Sequence, residues 1–317
     1  MKLVKIIGII VLLIVLVNGL LLIRFYSGKK EMQANNDKIG KARLMIPEVD
    51  SLEIIPVVDS QTSRSDVRTE DGLSYVLRSD HESIIFDVGW NKNNEKESPF
   101  IYNLKALGFD LSDFNAMVIS HCHPDHVGGM GFREQKVTVG GQTADFPVYT
   151  PIPMTFEDTK TIAVGKPSMI GKDFASSGPL AQQMYVPGTV YEQALMINVK
   201  GKGLVLVSGC GHPQINTMVE KAEAITGQPV YAVVGGTHLY YTTVESAFWR
   251  RIMGSTKVFA LGLSRAEVEN TVDKLKAQGV QKVYISAHDA DQASLKIFES
   301  RFVKDFAVIK VGSPINF

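Results

Sequence analysis

The stretch Ser120-His121-Cys122-His123-Pro124-Asp125-His126-Val127-Gly128-Gly129 constrains the chain more than any other. Three of the seven histidines, with one carboxylate, fall between positions 121 and 126. In extended backbone His121 and His123 leave the same face, and Cys122 leaves the other. Pro124 ends ladder pairing and helps turn the chain, so Asp125 and His126 come from the turn, aimed at nearly the same point. The run before it, 115–120, reads as a buried strand, which puts the cluster at the tip of a rigid element. Imidazole with carboxylate suits zinc, iron or manganese. A polar turn that is histidine-rich by chance is the plain alternative, and the concentration of three histidines argues against it.

The His-x-His-x-Asp-His pattern, with Gly128 and Gly129 behind it, resembles the signature of the metallo-β-lactamase superfamily. The resemblance implies an α/β fold, a four-layer αββα sandwich, with a one- or two-metal site at one edge of its two sheets.

Other apolar runs end in the same kind of residue. Residues 84–86 lead into Asp87-Val88-Gly89. A carboxylate at such a strand end can hold a ligand histidine by its other N–H, and the superfamily resemblance places an Asp-x-Gly here. Leu204 to Val207 runs into Ser208-Gly209-Cys210-Gly211-His212-Pro213, which offers a thiolate and an imidazole two residues apart as a metal pair. Residues 231–236 lead to His238, which reads as a substrate contact or proton donor, or else as a metal ligand. The strand 282–286 leads to His288-Asp289, and His288 fits the superfamily's last metal ligand. Six of the seven histidines lie at these strand ends; His81, in the turn 80–83, reads as solvated.

Glu192-Gln193-Ala194-Leu195, then Ser-Gly-Cys-x-His-Pro, then Val-Val-Gly-Gly-Thr-His-Leu narrow the resemblance to one branch of the superfamily. That branch is typified by the archaeal dihydropterin-ribofuranosyl-aminobenzene phosphate synthase, and the match runs from about residue 50 to the C-terminus. In that branch a cysteine replaces the metal-bridging aspartate of most relatives, which makes Cys210 a ligand or bridge. The branch usually has His-Cys where this chain has His288-Asp289. Most two-metal members also carry a histidine between the first cluster and the fourth ligand strand, and here none occurs from Val127 to Gly211. His212 is the expected substitute, joining His121 and His123 at one metal, with Asp125, His126, Cys210 and His288 at the other. His238 is the rival for that place.

Lys2 and Lys5 precede a different kind of segment, an apolar run from Ile6 to Ile23 broken only by Gly8, Asn18 and Gly19. As a helix it spans about 27 Å, close to the hydrocarbon thickness of a bilayer. A secretory signal is the competing reading, but the run is long and ends in Leu-Leu-Leu-Ile-Arg-Phe-Tyr with no small-residue cleavage pattern. The expected organisation is a short tail at 1–5, a membrane anchor at 6–23, a polar tether at 24–45 and a metallo-β-lactamase-like domain at 46–317. Flanking charges lean slightly towards a cytoplasmic domain, but a short N-terminal tail before a single anchor commonly stays inside, and the domain is expected to be extracytoplasmic. Residues 151–185, rich in Gly, Pro, Ser and Lys, read as an insertion covering the mouth of the site.

The chain has 317 residues, 45% hydrophobic and 21% charged, with zero formal net charge. That is a globular composition, with no basic field for nucleic acid and no acidic tail. The two cysteines form no disulfide framework. Two divalent transition-metal ions, zinc first and iron or manganese also suited, would share a water and lower its pKa towards neutrality. Asp125 would orient the resulting hydroxide and His238 would serve the leaving group. The expected activity is metal-dependent hydrolysis of an ester, lactone, amide or phosphoester small molecule. The alternatives are pterin transfer in the manner of the archaeal synthase, a mononuclear iron oxygenase, and a non-catalytic metal-stabilised scaffold or sensor.

Overall fold

Alternation along the strands sets the architecture. Ile54, Tyr75, Leu77, Ile84 and Phe86 point into one cluster, while their neighbours Ile55, Val76 and Ile85 point into another. Leu195, Ile197, Val205, Val207 and Val234 join the first cluster from a second sheet, and Met196, Leu204, Leu206 and Val233 face a third. A strand apolar on both faces must be covered on both, so two sheets stack on each other and each carries helices outside.

The computed structural model describes residues 2–130, 135–157, 159–240 and 254–317. One sheet has the order Ile162–Ala163, Val148–Thr150, Ala116–Val118, Ser83–Phe86, Ser74–Arg78, Glu53–Val58 and Ile315–Asn316. The other runs Ser168–Ile170, Phe174–Ser176, Leu195–Val199, Gly203–Ser208, Val230–Gly235, Lys282–Ile285 and Phe306–Val308, with Glu48–Val49 paired to Leu195–Val199. Helix α1 is Lys2–Gly40. Helix α2, Pro99–Ala106, starts at the Ser98 cap and packs Phe100, Ile101 and Leu104 on the first sheet. Helices α3 (Ile215–Thr226), α4 (Arg265–Ala277) and α5 (Gln292–Phe302) cover the second. The Ser264–Glu267 capping box opens α4 as the sequence indicates.

In both sheets the parallel strands deliver their carboxyl ends to one edge, the usual place for a site in α/β sheets.

Three expectations change. The polar stretch 24–45 is not a loose tether. It continues α1 to Gly40 and docks on the domain, where Asn36 exchanges hydrogen bonds with the backbone of Ala181 at 2.9 and 2.7 Å and Phe25 and Ile39 are buried. Composition hid this because the docked face is narrow. Residues 151–185 are not an irregular cover either; they supply edge strands to both sheets and a hairpin strand, Leu180–Gln183. These strands are too short for a periodic signal. A short strand near the C-terminus, Ile315–Asn316, pairs antiparallel to Glu53–Val58. The segment expected to open beside the site at 128–132 is a turn at 128–129; Gly131 and Phe132 lie outside the described residues.

None of the 18-residue apolar window of α1 is buried, and the helix is long and apolar enough to cross a membrane. Asn36→Ala should lower the stability of the full-length protein in detergent by about 1–3 kcal/mol, because it orphans two buried backbone groups. Denaturant unfolding against the unsubstituted chain checks this.

Candidate metal centre

The strand Ala116–Val118 stops short of the histidines, so His121 and His123 sit on a loop, not on the extended strand the sequence suggests. The loop is fixed by its own bonds: His126 N–H donates to His123 O at 3.1 Å and Gly129 N–H to Pro124 O at 2.9 Å. Gly128 is required here, since a Cβ on it would lie 1.9 Å from Thr138 O at a φ of +81°. Gly209 matters where two ligand loops meet, because its Cβ would lie 2.2 Å from Ser120 Oγ. Cys122 turns away and packs against the outer cluster of the first sheet.

Two groups of donor atoms result. One nitrogen from each of His121, His123 and His212 lies within 4.8 Å of the others, with His212 Nε2 and His123 Nδ1 at 3.0 Å. Asp125, His126, Cys210 and His288 form the second group within the same limit. There Cys210 Sγ is 3.1 Å from His126 Nε2 and 3.6 Å from His288 Nε2, and Asp125 Oδ2 is 3.6 Å from His126 Nε2. His212 thus lies beside His121 and His123, and Cys210 beside Asp125, His126 and His288.

Nitrogens on the far side of several rings are held by protein. Asp87 accepts from His126 Nδ1 at 2.7 Å, and from the Ser120 N–H and Oγ at 2.6 Å each. Ser120 Oγ also meets His121 Nδ1 at 2.9 Å. Ser286 Oγ bridges His288 Nδ1 at 2.5 Å and Asp59 Oδ2 at 2.6 Å. Glu192 accepts from the N–H groups of Gly209, Gly211 and His212 at 3.1, 2.8 and 2.8 Å, clamping the Cys210–His212 loop. Such outward contacts fix ring orientation and leave the inward nitrogens as donors.

The chemistry of these donors fits divalent metal. Burial first, then neighbouring imidazoles, pushes His121 and His212 well below the usual histidine range; burial pushes His123 down to about 4. All three are therefore neutral, the ligating form. His121 Nε2 and His212 Nδ1 are buried without a hydrogen-bond partner. Burial also lifts Glu192 and Asp59 to about 7 each, and raises the Cys210 thiol. Asp125 is driven the other way: burial opposes its charge, but His126 and His288 outweigh it. So much acidic surface at one buried edge calls for cations.

His238 stands apart. Its Nδ1 faces Asp289 Oδ1 at 3.1 Å and its Nε2 faces Gly254 O at 2.7 Å. Both partners are acceptors, so both nitrogens carry protons and the ring is an imidazolium. Burial works against that charge and Asp289 prevails, so its pKa is raised. No lone pair remains for a metal in this arrangement, although the ring lies 4.4 Å from that of His212. Asp87 and His238 both hold positive φ, 59° and 51°, strain of the kind stored at functional sites. His81, assigned to solvent, is mostly exposed but leans on Asp173 at 3.1 Å.

Sequence reasoning gives no role to Glu192, Asp289, Asp59, Ser120 or Ser286. Asp59 had the same signal as Asp87, an aspartate closing an apolar strand, and Asp289 stood directly after a candidate ligand.

Two stacked sheets with helices outside and candidate metal ligands gathered at one edge are the metallo-β-lactamase fold, and the Metallo-beta-lactamase superfamily model matches residues 67–134. Over most of its length the chain is similar to the 7,8-dihydropterin-6-methyl-4-(beta-D-ribofuranosyl)-aminobenzene-5'-phosphate synthase of Methanocaldococcus jannaschii. The two are 23% identical across 86% of this chain and 99% of that protein. The crystal structure of Tm1679, a metal-dependent hydrolase of the beta-lactamase superfamily, aligns with a TM-score of 0.58 at 21% identity, covering 83% of this chain and 98% of that one. The metallo-beta-lactamase fold protein YhfI from Bacillus subtilis aligns at 0.53 and 16% identity, covering 84% of this chain and all of that one.

His212→Ala should bind one metal ion fewer than the unsubstituted protein by elemental analysis, while His238→Ala should keep the full complement. Glu192→Gln should cost about 1–3 kcal/mol in unfolding free energy, because an amide donor then opposes backbone donors.

Proposed function

We propose that the chain is a membrane-anchored, two-metal hydrolase of an ester, lactone, amide or phosphoester. The observation that carries this is the pair of adjoining donor groups, three neutral imidazoles beside a carboxylate, two imidazoles and a thiol. His121, His123 and His212 would hold one ion, and Asp125, His126, Cys210 and His288 the other; this donor set suits zinc. When bound, the ions supply Lewis-acid polarisation of the scissile group and a water made acidic near neutral pH.

The chain's own residues do the rest. Asp125, partly exposed, would orient the attacking water as well as help hold an ion. The water oxygen bonds to the acyl carbon or phosphorus, the bond to the leaving oxygen or nitrogen breaks, and the leaving atom takes a proton. His238 is the donor for that proton, exchanging the Gly254 carbonyl for the leaving atom at Nε2. Asp289 keeps the ring charged and aimed. The apolar part of α1 would hold this domain at a membrane on the extracytoplasmic side.

One observation favours a second reading, pterin transfer: the likeness to the archaeal synthase spans nearly the whole of that protein. The anchor and the Asp289 position weigh against it. Metal-loaded full-length protein should hydrolyse members of an ester and phosphoester panel, lose that activity on dialysis against chelator and regain it with zinc. Joining of a dihydropterin to an aminobenzene riboside phosphate, with no hydrolysis of the panel, would decide for transfer. One bound iron with oxygen consumption would decide for an oxygenase.

A further inference from the structure

The domain grips α1 inside its apolar run, not after it. Tyr185 Oη donates to Asn18 Oδ1 at 3.1 Å, and Arg24 donates to the carbonyls of Tyr185, at 3.0 Å, and Val186. Asn18 and Arg24 are separated by about 9 Å of helix. Asn18, Leu21 and Leu22 are already partly covered by the domain, whereas the helix before them is bare. If the run 6–23 spans a bilayer, the rim around Tyr185 lies at the boundary of acyl chains and headgroups, the depth occupied by interfacial segments. Arg24, Lys29, Lys30 and the exposed Tyr26 mark the same level on the helix.

That rim borders a cavity that His212 also lines. Tyr185 N–H donates to Ser255 O at 3.0 Å, and its ring lies 5.8 Å from that of Phe259. The turn Val258–Ala260 touches α1. Phe259 and Ala260 both have positive φ, and Phe259 and Leu261 are each 58% exposed. Among the described residues outside α1, no other two exposed large apolar side chains lie so close in sequence. A cavity of about 340 Å³ is lined by Leu261, Leu263, Leu239 and Ile215 together with His212 and His238. Of the donor residues His212 lines it, and Lys257, Glu267 and Asn270 share the lining with the apolar side chains.

We infer that the site is fed from the membrane: its substrate is an amphiphile whose hydrolysable headgroup reaches the donor groups while its hydrocarbon chain lies along the Leu261–Ile215 wall and in the bilayer. Phe259 rests in the interface beside the opening. The substrate class rests on the hydrolytic reading, the depth of the mouth on the anchor. Hydrolysis would add water across the headgroup bond, leaving one product in the membrane and releasing a polar one.

The test uses full-length protein in phosphatidylcholine vesicles. In Phe259→Trp, brominated acyl chains should quench indole fluorescence beyond the quenching of the unsubstituted chain. 4-Nitrophenyl palmitate carried in the vesicles should be hydrolysed at least about tenfold more efficiently than soluble 4-nitrophenyl butyrate, since buried methylenes add to transition-state binding; a matched pair of alkyl phosphodiesters should behave alike. Phe259→Asp should erase that preference and leave the butyrate rate unchanged. Absence of added quenching overturns the membrane-facing mouth whatever the protein hydrolyses. Quenching with no preference for the long chain overturns the amphiphile. Quenching with no hydrolysis of any probe overturns the hydrolytic reading beneath the substrate class and upholds the depth of the mouth.

Discussion

A carboxylate buried at a strand end is costly unless N–H groups or cations offset its lost hydration. This protein places several such groups beneath its histidines, and each fixes one loop of the site. Asp87 holds the 120–126 loop through Ser120 and His126. Glu192 clamps 209–212 by three backbone donors. Asp59 reaches His288 through Ser286, and Asp289 aims His238. Remove any one and a loop loses both its anchor and its direction. Divalent ions on the inner side would balance the same charge, and loops and ions would then stabilise each other.

The layered fold serves this arrangement. Strands apolar on both faces cannot stand alone at the surface, so both sheets are locked between layers and their tips are stiff. Loops on stiff tips can be positioned within tenths of an ångström, which metal coordination requires. The docked half of α1 extends this rigidity to the N-terminal segment. Asn36 and Phe25 bind the domain, so the apolar half leaves it in a defined direction rather than on a flexible leash.

Much of this was legible in the sequence because short continuous apolar runs ending in histidine, cysteine or aspartate are strong local signals. Strands around 203–208 and 282–285 lie where those runs put them, and the Ser264–Glu267 capping box marks the start of α4. The gap in histidines before residue 211 pointed to His212, and the geometry brings it to His121 and His123. What escaped has physical reasons. A two- or three-residue edge strand such as Ile162–Ala163 has no measurable period. A helix that docks by one narrow face, as 24–40 does, has the composition of a linker. Glu192 and Asp289 act through backbone and ring N–H groups that only tertiary packing brings within reach.

The central claim is that two donor groups hold two ions side by side. Anomalous diffraction at the zinc edge from crystals of the metal-loaded protein tests it most directly. The account predicts two peaks about 3.5–4 Å apart, one among His121, His123 and His212 and one among Asp125, His126, Cys210 and His288. A single peak, or a peak coordinated by His238 in place of His212, would contradict it.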